Sequence, residues 1–121
     1  MKKEVRNSIA NKTNNRCAYC GDKLKKGWHL DHMKPIIRTA TGMERPENHN
    51  EDNFIASCPQ CNLLKTSGSI EYLRDAIIDR LKQLSRQASY RTAIRYGILK
   101  ETKKNIVFYF EKIGLDKKLS N

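Results

Sequence analysis

The chain has 121 residues, of which 38% are hydrophobic, enough for one domain with a modest apolar core. It carries 24 Lys and Arg against 13 Asp and Glu, and this net charge of +11 favours a nucleic-acid partner; a solvated basic surface and an anionic membrane surface are weaker alternatives. No segment is apolar over the length of a signal peptide or a membrane span, so we expect a cytoplasmic protein with no membrane partner.

The first elements along the chain are a predicted helix and a predicted strand. Val5 and Ile9 have helical spacing among polar residues, which indicates a short amphipathic helix over residues 3–14. Residues 28–37 read WHLDHMKPII, and this mixture of apolar and polar residues is typical of a strand. We expect the strand to end near His32, because a proline follows it.

A long connection and a second short strand are predicted next. Residues 38–52 contain Gly, Pro, Asn and Thr without an apolar period, and therefore predict a long surface loop. The apolar segment Phe54–Ala56 favours a strand, and the sequence NLLKTS that begins at Asn62 favours a helix. The middle of the chain is thus predicted to run strand, loop, strand, helix.

The second half of the sequence predicts two helices and a strand. Apolar residues at helical spacing mark one face of a helix over residues 70–84, and a second helix is expected over residues 87–96 before Gly97. The β-branched and aromatic residues of 106–110 favour a strand. We divide the chain into residues 1–69 and an extension of residues 70–121 that packs on them and aids DNA binding or forms a homodimer.

Four cysteines occur as two CxxC pairs, which predict a structural zinc site. Four thiolates in two knuckles fill a tetrahedral coordination sphere, so the zinc has no open position for catalysis. The glycine after the first pair, Gly21, supplies the positive φ that such a turn requires. Free or redox-active cysteines are the alternative interpretation. The expected ligands are Cys17, Cys20, Cys58 and Cys61.

The knuckles enclose residues suited to metal-assisted chemistry. Asp31 and His32 are neighbours at the predicted strand end, and Asn62 follows the last cysteine. A carboxylate and an amide oxygen are hard ligands suited to Mg²⁺ or Mn²⁺. Because side chains alternate along a strand, His32 points away from Asp31 and is better placed as a base than as a ligand of the same ion.

In order, CxxC, LDHMKP, DNF and CxxCNxxK resemble the signature of the HNH endonucleases over roughly residues 15–66. The resemblance implies an α+β fold, a zinc-stapled ββα-metal core of the HNH or His-Me finger type, here with an N-terminal helix and a helical plus short β C-terminal extension. The family's last signature histidine is Asn62 here, an HNN-type variant that we expect to prefer harder ions. The implied activity is hydrolysis of DNA, most readily double-stranded, with one divalent ion, leaving 5′-phosphate and 3′-hydroxyl ends.

The resemblance also implies a role for each site residue. His32 would activate the attacking water, while Asp31 and Asn62 would hold Mg²⁺ or Mn²⁺ against the phosphate. Asn53 would orient the catalytic loop, and Lys65 would contact a phosphate or stabilise the transition state. The competing hypothesis is a zinc module that binds nucleic acid without cutting it.

Three further side chains in this part of the sequence have more than one interpretation. His29 shares the strand face of Asp31 and is a conceivable ligand, although we favour a surface or packing role. For His49, in the predicted loop, we expect no catalytic part. Tyr19, inside the first knuckle, is expected either to stack on a base or to fill space.

Overall fold

The computed structural model describes residues 2–115, so residues 116–121 of the predicted extension lie outside the described part of the chain. Within it, helices and short antiparallel strands are mixed. The helices are α1 (Lys3–Lys12), α2 (Pro59–Lys65), α3 (Ile70–Ser85), α4 (Ala88–Arg95) and α5 (Tyr109–Lys112). The strands are β1 (His29–His32), β2 (Ile37–Thr39), β3 (Gly42–Glu44) and β4 (Phe54–Ser57).

Two strands and one helix form the unit that carries the predicted site. Strands β1 and β4 pair antiparallel, with His29 opposite Ser57 and His32 opposite Phe54. Helix α2 follows β4 directly and packs on β1, while α1 packs on β4 from the other side. The predicted order of strand, connection, strand and helix is confirmed, as is the N-terminal helix.

Helix α2 begins three residues before the predicted start at Asn62. Cys58 is its N-cap and its Sγ accepts a hydrogen bond from the backbone N–H of Cys61, while Pro59 occupies the first turn. A proline is tolerated there because its missing N–H would have no partner within the helix. The second CxxC pair therefore forms the beginning of this helix.

The prediction that residues 38–52 form only a long surface loop is wrong in part. Strands β2 and β3 form a hairpin with Arg38 opposite Met43, and two 3₁₀ turns follow at Pro46–Asn48 and Glu51–Asn53. The hairpin strands are exposed apart from the half-buried Met43, so neither face needs an apolar residue at alternate positions. This absence of alternation is why periodicity did not reveal them.

The extension contains both predicted helices, but the strand predicted over residues 106–110 is wrong. Residues up to Phe108 are irregular, and Tyr109–Lys112 form helix α5. Phe108 and Phe110 insert beside Tyr19, and the backbone N–H groups of Tyr109 and Phe110 bond to carbonyls of the first knuckle. The aromatic residues that suggested a strand thus pack against the knuckle, without a sheet partner.

One hydrophobic cluster joins the knuckle, β4 and the extension. It includes Cys17, Tyr19, Ile55, Leu73 and Phe108, all nearly inaccessible to solvent. The α+β class with a four-cysteine cluster in a ββα arrangement is confirmed, except for the short β part of the extension. Each helix of residues 2–115 is too short or too polar to traverse a bilayer.

Candidate active site and metal centre

The four cysteines converge as the sequence predicts. All are free of disulfides, and their sulfur atoms lie within 4.8 Å of one another. The Sγ atoms of Cys20 and Cys58 are 3.9 Å apart. Tetrahedral coordination with Zn–S near 2.3 Å requires sulfur atoms about 3.8 Å apart, so the cluster fits a zinc ion.

The chemistry of the thiols also fits a cation. A hydrogen bond from the Cys61 thiol lowers the pKa of Cys17 to about 4, and the same contact raises the pKa of Cys61. Burial and the nearby Cys17 raise the pKa of Cys20 to about 12. Crowded sulfurs cannot all ionise without a counter-charge, which a thiophilic divalent ion supplies.

Strand β1 separates its polar side chains onto two sides. Asp31 contacts Lys65 of α2, whereas His32 contacts His49 and the ring of Phe54. The prediction that His32 points away from Asp31 is therefore confirmed. His29, two residues before Asp31, contacts α2 as well.

Asp31 is a buried carboxylate with two partners on one oxygen. The hydroxyl of Tyr19 donates to its Oδ2, and the ammonium of Lys65 lies 3.1 Å from the same atom. Burial and the neighbouring carboxylate raise the pKa of Tyr19, which keeps its hydroxyl a donor. Within residues 2–115, Oδ1 of Asp31 has no hydrogen-bond partner, and no buried side-chain oxygen lacks one, so Oδ1 is open to solvent.

Lys65 is more deeply buried than its predicted contact with a phosphate suggests. Its side chain is 1% exposed, and Nζ also donates to the backbone carbonyl of His32 over 2.9 Å. The ammonium therefore joins α2 to the end of β1 and balances the charge of Asp31. A buried ion pair is stable only when both partners are held in this way.

Tyr19 is the site residue that the sequence did not predict as such. Tyr19 was expected to stack on a nucleic-acid base or to fill space among apolar side chains. Its hydroxyl instead donates a hydrogen bond to the carboxylate of Asp31. A tyrosine between two cysteines predicts packing; the target of its hydroxyl comes from a strand twelve positions away. No local pattern could have identified this contact.

Asn62 lies one helical turn before Lys65 and contacts His29. Its Nδ2 lies 3.0 Å from Nδ1 of His29, so the amide nitrogen donates to the imidazole and Oδ1 is left for other partners. No direct hydrogen bond joins Asn62 to Asp31 within residues 2–115. The structure thus brings Asn62 to the α2-facing side of β1, but next to His29.

His32 is half-buried at the end of β1. Burial, and then the nearby His49, lower its pKa below the ordinary value of 6.5. The imidazole is therefore neutral at neutral pH, which is the form that accepts a proton.

Asn53 connects the two loops on either side of the site. Its Oδ1 accepts from the backbone N–H of Lys34, and its Nδ2 donates to the carbonyls of Lys34 and Asn48, all within 2.8 Å. These contacts fix the segment that leaves β1 against the segment that enters β4.

A cleft of about 310 Å³ opens beside β1 and α2. Asp31, His32 and Lys65 line it together with Arg38 of the hairpin, whereas Asn62 lies outside its lining. A carboxylate, a neutral imidazole and two cations thus meet at one surface depression. This combination suits an anionic substrate that reacts with water.

The middle of the chain matches a known protein family. Residues 17–68 match the family model described as HNH endonuclease, and the match spans both cysteine pairs, Asp31, His32 and Asn62. No curated protein and no solved structure matched the chain. Residues 17–68 are therefore similar to the domain of the HNH endonucleases.

Proposed function

We propose that this protein is a metal-dependent endonuclease that hydrolyses DNA phosphodiester bonds in the cleft beside β1. The observation that carries the proposal is that Asp31, His32 and Lys65 line one cleft inside the HNH domain. The net charge of +11 supports a polyanionic substrate.

In this proposal His32 is the general base. Its neutral imidazole takes a proton from water, the water oxygen forms a bond to phosphorus, and the bond from phosphorus to the 3′ oxygen breaks. The 3′ oxygen then acquires a proton from solvent, which gives 5′-phosphate and 3′-hydroxyl ends. The lowered pKa of His32 supports this role.

Asp31 and Asn62 are the proposed ligands of one Mg²⁺ or Mn²⁺ ion. In each side chain a different atom is already engaged: Oδ2 in Asp31 and Nδ2 in Asn62. This leaves Oδ1 of both residues as hard oxygen donors on the α2-facing side of β1. When bound, such an ion acts as a Lewis acid and stabilises the charge of the leaving oxygen.

Lys65 and Asn53 support these groups. Lys65 balances the carboxylate of Asp31 and holds the end of β1, and its ammonium places positive charge at the cleft where a phosphate would lie. Asn53 holds the loop after β1, so that the imidazole of His32 keeps its position.

For the substrate we propose double-stranded DNA, contacted through its backbone. Arg38 lines the cleft, and the exposed residues Lys23, Lys25 and Lys26 lie between the first knuckle and β1. Binding to duplex DNA should weaken with salt, with a log-log slope of about −0.9 for each neutralised phosphate. A homodimer would supply the second active site that cutting of both strands needs.

The proposal is tested by plasmid cleavage with the zinc-loaded chain and its variants. Supercoiled plasmid is incubated with Mg²⁺ or Mn²⁺, with and without EDTA, and the ends are mapped. His32→Ala should lower the rate by about 10²- to 10⁴-fold, the usual contribution of a general base. Asp31→Asn should also lower the rate, because it removes the charge of a proposed ligand of the ion. Leu63→Ala is the matched control, because this neighbour of Asn62 is 79% exposed.

Two results would decide against the proposal. If His32→Ala cleaved DNA at the rate of the parent chain, His32 would not be the general base. DNA binding without metal-dependent cleavage, in a chain that holds its zinc, would favour the alternative of a nucleic-acid-binding zinc module.

A further inference from the structure

His49, for which the sequence predicted no catalytic part, lies against the proposed base. Nδ1 of His49 is 2.9 Å from Nε2 of His32, and the two ring planes are inclined by 27° with their centroids 5.2 Å apart. The ring of Phe54 meets both imidazoles edge-on, at 5.1 and 5.4 Å. The three rings form one packed group at the end of β1.

The loop that carries His49 is held in place although His49 itself is exposed. Its backbone N–H bonds to the carbonyl of Pro46, and the preceding residue, Asn48, donates to the carbonyl of Pro35. Asn53 donates to the carbonyl of Asn48. The same asparagine thus anchors both the segment after His32 and the segment before His49.

The pairing restricts which nitrogen of His32 can act as the base. A neutral imidazole has one N–H and one lone pair. If Nδ1 of His49 donated the proton, Nε2 of His32 would be the acceptor, Nδ1 of His32 would carry the hydrogen, and no nitrogen would be free for water. If Nε2 of His32 donates instead, its Nδ1 keeps a free lone pair.

We propose that His49 is a positioning residue that accepts a hydrogen bond from Nε2–H of His32 and so presents Nδ1 of His32 to the attacking water. This inference rests on the proposed function, in which His32 is the base. The proton of the water goes to Nδ1, and the new imidazolium keeps its Nε2–H bond to His49. In this role His49 acts only through the imidazole of His32.

Two variants separate the hydrogen bond from the packing of the ring. His49→Phe keeps an aromatic ring against Phe54 but has no acceptor, whereas His49→Asn places an amide oxygen near the position of Nδ1. We expect His49→Phe to lower kcat about tenfold, the rate equivalent of one hydrogen bond, with little change in KM for plasmid. His49→Asn should recover most of that loss. Glu47→Ala changes an exposed side chain of the same loop and serves as the control.

A second measurement tests the pairing without cleavage. Imidazole ¹⁵N shifts of the zinc-loaded full chain, at a pH where both rings are neutral, report which nitrogen carries the hydrogen. We expect the Nε2–H form of His32 in the parent chain and in His49→Asn, and a mixture of both forms in His49→Phe.

The outcomes are distinguishable from failure of the proposed function. The Nδ1–H form of His32 in the parent chain would overturn the inference, as would equal rates for the parent chain and His49→Phe. So would an equal loss in both His49 variants, which would indicate packing alone. A parent chain that binds but does not cut DNA refutes the nuclease and any catalytic role of His49, while the ¹⁵N shifts still report on the pairing.

Discussion

The two sides of strand β1 differ in what holds their side chains. On the side of α2, Asp31 is buried in an ion pair with Lys65 and a hydrogen bond from Tyr19. On the opposite side, the half-buried His32 contacts the rings of His49 and Phe54 and has no ionic partner within residues 2–115. One side keeps a charge in a fixed position, and the other keeps an imidazole neutral.

The difference explains how adjacent residues in one strand can have opposite electrostatic requirements. A carboxylate that binds a divalent ion must be ionised, while an imidazole must be neutral before it acts as a base. Alternation of side chains along a strand provides both environments within two residues. The comparison predicts large structural effects on the Asp31 side and mainly kinetic effects on the His32 side.

Loss of the zinc should have the largest effect, because the knuckles support both sides. Structural zinc contributes roughly 10–16 kcal/mol of apparent binding energy in zinc-finger peptides, which is comparable with the whole free energy of unfolding of a typical domain, roughly 5–15 kcal/mol. We expect Cys58→Ser, or chelation of the parent chain, to abolish cooperative thermal unfolding monitored by circular dichroism. Readdition of Zn²⁺ should restore it only in the parent. A Cys58→Ser chain that unfolds like the parent chain would show that the cluster is not a structural metal site.

Lys65→Met should destabilise the Asp31 side specifically. Removing one partner of a buried ion pair typically costs about 3–5 kcal/mol, because the other charge is left uncompensated. The measurement is the free energy of unfolding in urea. The double variant Asp31→Asn with Lys65→Met removes both charges and should recover at least part of the loss, with Leu63→Ala as the control on the same helix. Equal losses in the single and double variants would contradict the ion-pair argument.

The rate of DNA cleavage should depend on pH through the protonation of His32. Because burial and His49 lower the pKa of His32, the acidic limb of the cleavage rate should have its midpoint below 6.5. The rate should be level above that midpoint and fall about tenfold for each pH unit below it, as the imidazole becomes protonated. Single-turnover cleavage across this range measures it, with DNA binding followed in parallel. A rate that rises on acidification would exclude a neutral His32 as the base.

His29→Ala should have the smallest effect. His29 is exposed, so the free energy of unfolding should change by no more than about 0.5 kcal/mol. Its imidazole accepts from Nδ2 of Asn62, which orients the amide, and loss of such support to a ligand typically costs about tenfold or more in metal affinity. We therefore expect the Mg²⁺ concentration for half-maximal cleavage to rise about tenfold. An unchanged Mg²⁺ dependence would show that the contact does not serve the ion.

Much of the fold could be predicted because its signals are local. Helix α3 has apolar residues at helical spacing and Ser69 as its N-cap. The two CxxC pairs predict the four-cysteine cluster from their spacing alone. The hairpin of β2 and β3 escaped detection because it has no buried face to impose alternation. Phe108 and Phe110 led to a wrong prediction of a strand. Two aromatic residues separated by one position fit a strand, but they also fit a turn that packs on the core.

The candidate site could be predicted only as far as the family signature reaches. The sequence identified Asp31, His32 and the side on which each lies, because alternation follows from neighbouring positions. The contacts of Tyr19 with Asp31 and of His49 with His32 join residues 12 and 17 positions apart. Such contacts depend on how loops close, and neither residue belongs to a pattern that sets its partner.

The hydroxyl of Tyr19 has a further consequence, because the residue stands between two ligands of the zinc cluster. A chain made when zinc is scarce would lack the ordered knuckle, and with it the donor that holds the carboxylate of Asp31. Under the proposed function, a chain without zinc would then leave DNA uncut. The supply of zinc would control the proposed activity separately from the divalent ion that the proposal assigns to Asp31.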